Sequence, residues 1–434
     1  MRVSTSTIFD QGVFNIQRNQ ADLLRLQEQI SSGRRVLTPA DDPVSAGRSL
    51  ELSQSKALAE QFARNTESAT AAIGLAEGAL QRYTSLLQDV RVLAVNAGNG
   101  ALTASDRRSV ATELRERYAE LLGIANATDG NGLYLFSGYQ GATRPFTETA
   151  PGTVAYNGDQ GSREIQTGPS ALIPVSEAGS EVFQRIRTGN GSFETAAAAA
   201  NSGTGVVDAG LVRDAAAWDT PGNPGSFEVR FFRDAAAVPP VTTYDIVDTV
   251  NNVSLTTGAA PAAGPFLRIF QPGAAIVGAR QAPPDTTPAA FDFGFQLSIQ
   301  GQPASGDSFT VTRSAEQDVF STVWNLIEAL ESSKPGAVGN ARLSNDVNTA
   351  LTELDNALEV NLTARAAVGA RMRQIENDKA GADDLKLQYE RTLSQLTGLD
   401  YSKAISDLTF QQFSLEAAQK SFLRVQGLSL FQFL

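Results

Sequence analysis

ISSGRRVLTPADDPVSAGRSLEL, residues 30–52, sets two prolines, two glycines and the neighbouring carboxylates Asp41 and Asp42 between two stretches of periodic apolar residues. Two readings compete for it. Taken as chemistry, a carboxylate pair could serve hydrolysis or a hard metal, but adjacent residues cannot flank one glycosidic bond from opposite faces. A magnesium or calcium loop needs more oxygen ligands at regular spacing, and that spacing is absent. Taken as geometry, the stretch is a corner. Ser31-Ser32-Gly33 ends one helix, Thr38-Pro39 restrains the turn, and Asp42 followed by Pro43 starts the next. Asp caps free backbone N–H groups, and Pro fits the first helical position because its missing donor costs nothing there. Arg34, Arg35 and Arg48 are the expected ion-pair partners. Asp42 and Pro43 are therefore assigned to a helix corner.

On the N-terminal side of that corner, Phe9, Ile16, Leu23 and Ile30 recur at an interval of seven, while the companion row of Val13, Gln20 and Gln27 is mostly polar. A half-populated seam of this kind needs a partner helix. The C-terminus carries its counterpart: Ala404, Leu408, Gln411, Leu415, Ala418, Phe422 and Val425 alternate spacings of four and three, and LSLFQFL follows. Apolar residues at a chain end need cover. Phe9, Ile16, Leu23, Ile30, Leu408, Leu415, Phe422 and Val425 are the candidate assembly interface.

The flanking segments hold the strongest helical rhythm, from Phe62 through Ile73, Leu80, Tyr83, Leu87 and Val90 to Ala97, and from Val347 through Leu354, Asn361, Arg365 and Val368 to Ile375. Asn361 and Arg365 interrupt the second seam, as register-fixing polar residues do. A helix over 44–97 would be about 80 Å long at 1.5 Å per residue, a rod's dimension. Further helices are expected from Ser105-Asp106 to before Asp129, over 316–330, and from Leu343 to about Thr397, with Pro335-Gly336 as a break.

Between about Gly141 and Thr312 the texture changes: prolines and glycines concentrate and lysine is absent. SFEVRFFRD (226–234), TTYDIVDTV (242–250), PFLRIF (265–270), FGFQLSIQG (293–301) and DSFTVTR (307–313) read as strands, and AAAAANSGTG (196–205) as a loop or frayed helix. The class is α+β: terminal assembly segments at 1–43 and 399–434, a helical rod from 44–140 and 313–398, and a β-rich outer domain at 141–312.

Composition narrows the function. The 434 residues carry a net charge of −12, with no cysteine and no histidine. That balance opposes nucleic acid and anionic membrane surfaces, and it removes thiol nucleophiles, imidazole bases and soft metal sites. No apolar run approaches the roughly 18 residues of a membrane span, and the N-terminus lacks the apolar core of a cleaved signal peptide. Asp383-Asp384 reads as a solvated helix face, and Glu316 and Asp318 as residues at a helix N-terminus. GNGLYLFSGYQG lacks a P-loop's Lys-Ser/Thr tail. No catalytic, cofactor-binding or metal residue is assigned; the chain reads as a building part and not an enzyme.

LQEQISSGRRVLTPADDPVSAG (26–47) resembles the N-terminal signature of bacterial flagellins and their relatives, and RAAVGARMRQIE (365–376) with the closing LSLFQFL resembles the matching end. Within that superfamily, DGNGLYLFSGYQGATRPF (129–146) is similar to the hook–filament junction branch. The resemblance covers roughly 1–146 and 313–434. It implies terminal segments that are disordered in the monomer and become coiled coils in a tubular assembly. It also implies secretion by the flagellar type III route without a cleaved signal, and a ring of copies between the first hook-associated protein and the flagellin filament. An export chaperone would cover the C-terminal seam. Two alternatives remain: a filament-forming flagellin, against which Tyr134-Leu135-Phe136-Ser137-Gly138 argues, and a rod-mounted adhesive protein, for which Trp218, Tyr156 and Tyr244 are too scattered to form a stacking platform.

Overall fold

Residues 33–42 form a turn between two helices. In a computed structural model describing residues 5–280 and 291–430, helix α1 (Thr5–Ser32) ends at Gly33, whose φ of +67° lies in the left-handed region where a side chain is strained. Helix α2 (Pro43–Ala97) begins at the proline. Asp42 caps it: Ser45 N donates to Asp42 Oδ1 (3.1 Å) and Ser45 Oγ to Oδ2 (2.7 Å).

Helix α3 (Ala104–Ala125) starts one residue before its expected position, behind a capping box in which Thr103 and Asp106 satisfy each other's backbone N–H groups. Helix α4 (Val319–Ser332) begins later than expected. Glu316 and Gln317 form a short strand paired with Ile186–Arg187, and Asp318 is the N-cap, accepting from Ser321 N at 2.7 Å. Glu316 therefore does not sit in the helix. Helix α5 (Ala337–Thr397) starts six residues before Leu343, directly after the Pro335-Gly336 break; Gly339, a weak helix former, sits in its first turn because a Cβ there would strike the Lys334 carbonyl. Helix α6 (Tyr401–Leu430) completes the order.

The chain divides into two compact units, and the long helices contribute to both. One takes the described residues as far as Glu67, with Gln166–Ala171 and those from Glu376 onward; the other takes Ser68–Ile165 and Leu172–Ile375.

The second unit has two cores. In the helical one, Ile73, Leu80, Tyr83 and Leu87 of α2 are buried with Leu114 of α3, Leu326 of α4 and Leu354 of α5. Their heptad spacing keeps one stripe turned inward along each helix. Asn361 of α5, fully buried, donates to Leu80 O (3.1 Å) and Thr84 Oγ1 (2.9 Å) of α2. Arg365, one turn on, pairs with Glu77 at 2.7 Å. Both interruptions of the predicted seam thus tie one rod helix to the other. GNGLYLFSGYQG is a loop that buries Leu135 and Phe136 and leaves Tyr139 exposed.

The other core is a pair of antiparallel sheets. Strands β1 (Phe193–Ala197), β2 (Ser226–Asp234), β3 (Val241–Asp248), β4 (Ala275–Arg280), β5 (Phe291–Gln300) and β6 (Ser308–Arg313) supply its main elements. The first sheet runs β3–β2–β6–β1, with Val229 opposite both Ile246 and Phe309; β4 and β5 pair in the second. Phe227, Val229 and Phe231 alternate inward along β2, as a half-buried strand demands. Two expectations need correction. AAAAANSGTG is neither a loop nor a frayed helix at its start, because Ala196 and Ala197 complete β1; its later residues turn around Asp307, which accepts from Ser202 N (2.7 Å) and Gly203 N (3.0 Å). Of PFLRIF, Arg268–Ile269 alone are strand.

Candidate assembly interface

The terminal helices are ordered. Both ends were expected to be disordered in the single chain; instead α1 and α6 are helical and packed on each other. The reason lies in the two half-seams, each of which is the partner the other lacks. Phe9 and Phe422 meet with ring centroids 5.1 Å apart. Gly12 makes room for that pair, since a Cβ there would come within 2.7 Å of the Phe422 ring. Gln411 and Asn19 are joined at 3.4 Å. Ile16, Leu23, Ile30, Leu408 and Leu415 are half-buried in the same two helices. The side chain of Val425 lies outside the described residues, as do residues 431–434 of the apolar tail.

The pairing leaves much apolar surface uncovered within the chain. Phe410 and Phe413 are 69% and 70% exposed, and Phe14, Leu24 and Leu423 are exposed to a similar degree. These residues were not singled out from the sequence, because they fall off the heptad stripe that its periodicity defines. The available signal was a second, off-stripe set of large apolar residues in helices that already had one apolar face. Single exposed apolar residues are ordinary, but phenyl rings repeated along one helix pair make it a candidate contact surface.

At the corner, Asp41 is bound as firmly as Asp42. It accepts from Leu37 N (3.0 Å) and Thr38 N (2.8 Å) and pairs with Arg25 of α1. Arg25 was not among the expected partners. Asp42 pairs with Arg35 at 3.2 Å. The backbone donor of Thr38 leads in holding Asp41 below the usual carboxylate range, and the Ser45 hydroxyl leads in holding Asp42 at about 2. Carboxylates so engaged are structural anchors. Asp383 and Asp384 are exposed on α5. Among the described residues no acidic, histidine or cysteine group is placed to hold a metal, and no helix is long and apolar enough to cross a membrane. Trp218 is buried in the β core beside Phe193, and the Tyr156 hydroxyl is spent on Phe136 O and Asp159 O.

Helical ends that pair, long helices adjoining them and a β-rich middle define a subunit of the flagellin type. The family model for the bacterial flagellin N-terminal helical region matches residues 3–141. Flagellar hook-associated protein 3 of Salmonella typhimurium is 25% identical over 433 residues, covering all of this chain and 99% of that one. The crystal structure of Xanthomonas campestris FlgL is 31% identical with a TM-score of 0.65, over 79% of this chain and 99% of that one. That of hook-associated protein 3 from Legionella pneumophila is 28% identical with a TM-score of 0.69, over 80% and 98%. The chain belongs to the hook-associated protein 3 family of the flagellin superfamily. The flagellin model stops at residue 141, whereas the Salmonella relative aligns from end to end, so the filament-flagellin alternative is the weaker one.

Proposed function

We propose that this chain is a structural subunit of the bacterial flagellum. It seats at the junction of hook and filament, and it acts by assembly and not by catalysis. The observation that carries this reading is the α1–α6 pair, which satisfies one apolar seam within the chain and presents a second set of phenyl rings outward. Copies of the same chain, arranged as a ring, would cover that set at about 25 cal/mol per Å² of apolar area removed from water. Phe9, Ile16, Leu23, Ile30, Leu408, Leu415, Phe422 and Val425 form the inner part of this interface, and Phe14, Phe410 and Phe413 its outer part. The first hook-associated protein on one side and flagellin on the other are the flanking partners. A cytoplasmic chaperone covers the C-terminal helix before export, which proceeds without a cleaved signal. Residues 141–312 form the outer domain.

Deletion of residues 405–434 tests the reading. The expected product is soluble and keeps most of its helical circular dichroism, yet fails to restore a hook–filament joint in cells lacking the full-length chain. Normal filament attachment by the truncated chain would overturn it. Seeding distinguishes the flagellin alternative: purified subunits should fail to extend a filament fragment, whereas a flagellin propagates it.

A further inference from the structure

The tripeptide Gly-Asn-Gly occurs three times in the chain, at 98–100, 130–132 and 189–191. In an unfolded chain this tripeptide is chemically unstable, because the glycine after the asparagine has no side chain to shield its nitrogen. That nitrogen attacks the asparagine Cγ and gives up its proton. The new N–Cγ bond closes a succinimide ring, and the side-chain nitrogen leaves as ammonia. Water then opens the ring at either carbonyl, leaving aspartate or isoaspartate. The reaction needs a side chain free to turn toward the next backbone nitrogen, and a nitrogen with no hydrogen bond to surrender.

The fold gives the three copies different surroundings. Asn190, in the turn before β1, is held at both ends of its amide. Its Oδ1 accepts from Ser192 N (3.1 Å) and Phe193 N (3.0 Å), and its Nδ2 donates to Ala209 O (3.3 Å) and Gly210 O (3.2 Å). The attacking nitrogen is engaged as well, since Gly191 N donates to Thr188 O at 3.2 Å. Asn99, between α2 and α3, is held at one atom, its Oδ1 accepting from Ala101 N at 3.0 Å. Asn131 is exposed, and neither its side chain nor Gly132 N has a hydrogen-bond partner among the described residues. A Cβ placed on Gly130 or Gly132 would meet no atom within 4 Å, so the loop has room for the ring to close.

We infer that Asn131 is a site of spontaneous deamidation, and that hydrogen bonding withholds the same reaction from Asn190. The product carries a new negative charge at 131. As isoaspartate it also inserts one more backbone carbon between Asp129 and Leu133, whose pairing (Asp129 N to Leu133 O, 2.8 Å) closes the loop ahead of the buried Leu135 and Phe136. The reaction is a property of the chain by itself and does not depend on the assembly role proposed above.

Peptide mapping by mass spectrometry, on the full chain incubated at mildly alkaline pH, follows the change from amide to acid at each copy. The native chain should convert Asn131 first, and Asn190 at least about tenfold more slowly, the factor expected when an opening that breaks about two hydrogen bonds must come first. In urea, where only the shared tripeptide remains, the three copies should react at similar rates. Asn131→Gln, whose longer side chain closes a ring far more slowly, should remove the first acidic species that ion exchange resolves from the native chain. Three results would each overturn the proposal: Asn131 reacting no faster than Asn190 in the native chain, a preference for Asn131 that persists in urea, or an early acidic species undiminished in the Asn131→Gln chain.

Discussion

Glu353 of α5 sits 6% exposed beneath α4, with no cation beside it among the described residues; its Oε2 accepts from Thr322 Oγ1 (2.9 Å) and Gln317 Nε2 (2.8 Å). Burial outweighs those donors and pushes its pKa up to about 7. The folded chain therefore holds this proton over a range where the unfolded chain has already lost it. Stability from this group is complete below pH 4.5, falls as pH rises and is gone above 7, a difference of about 3 kcal/mol. Glu353→Gln keeps the polar contacts without the charge, so it should match the parent at pH 4 and unfold at higher urea at pH 8. Equal urea midpoints at pH 8 would show that the carboxylate ionises there at no cost. Asp42 works in the opposite sense. Its lowered pKa means that its contribution is present above about 3.8 and is lost as pH falls toward 2. Asp42→Ala should accordingly loosen the first turns of α2 at neutral pH and leave them no less stable than the parent at pH 2, as read by amide exchange.

At the scale of elements, helix pairing is set by a few side chains placed against the pattern. Asn361 fixes α5 to α2 through Leu80 and Thr84, but its side-chain Oδ1 is buried without a hydrogen-bond partner among the described residues. Replacing a partly satisfied buried amide with an apolar side chain of similar volume is often neutral or stabilising. Asn361→Leu should thus melt no lower than the parent while weakening the register that the amide specifies, visible as broadened methyl resonances in the helical core. A melting temperature several degrees lower would mean that the amide contributes more than register. For the terminal pair, Phe9→Ala and Phe422→Ala should each speed exchange in both α1 and α6, and the double variant should fall short of the sum by about 0.5 kcal/mol, the coupling of an aromatic contact that is half open to water. Strict additivity would mean that the rings share no stabilising contact.

In the molecule as a whole, two hydrophobic cores share one unit without sharing side chains: Leu80, Leu326 and Leu354 belong to the helical core, Val229, Phe295 and Phe309 to the β core. Asn345 joins helix to sheet, donating to Gly205 O (3.0 Å) and accepting from Val207 N (2.9 Å). Phe309→Ala should cost about 3–5 kcal/mol by leaving a cavity. Limited proteolysis should then open the region around 193–313 first and spare the helices of the other core. Simultaneous loss of both would show one cooperative core.

Much of this plan was written along the chain. Seven-residue repeats specify long helices because an apolar stripe at that spacing stays on one face, and Asp42-Pro43 specifies a helix start because capping is a local matter between neighbouring residues. Alternation in SFEVRFFRD placed β2 to the residue for the same reason. The alanines at 196 and 197 gave no such signal, since their strand exists through pairing with Phe309 and Thr310, more than a hundred residues away. Sequence also showed that each terminal seam lacks a partner, yet not which surface would supply it. Tertiary structure alone decided that the two ends meet in one chain and that Gly12 makes way for Phe422. Those outcomes depend on distances between residues hundreds of positions apart, and periodicity carries no information about such distances.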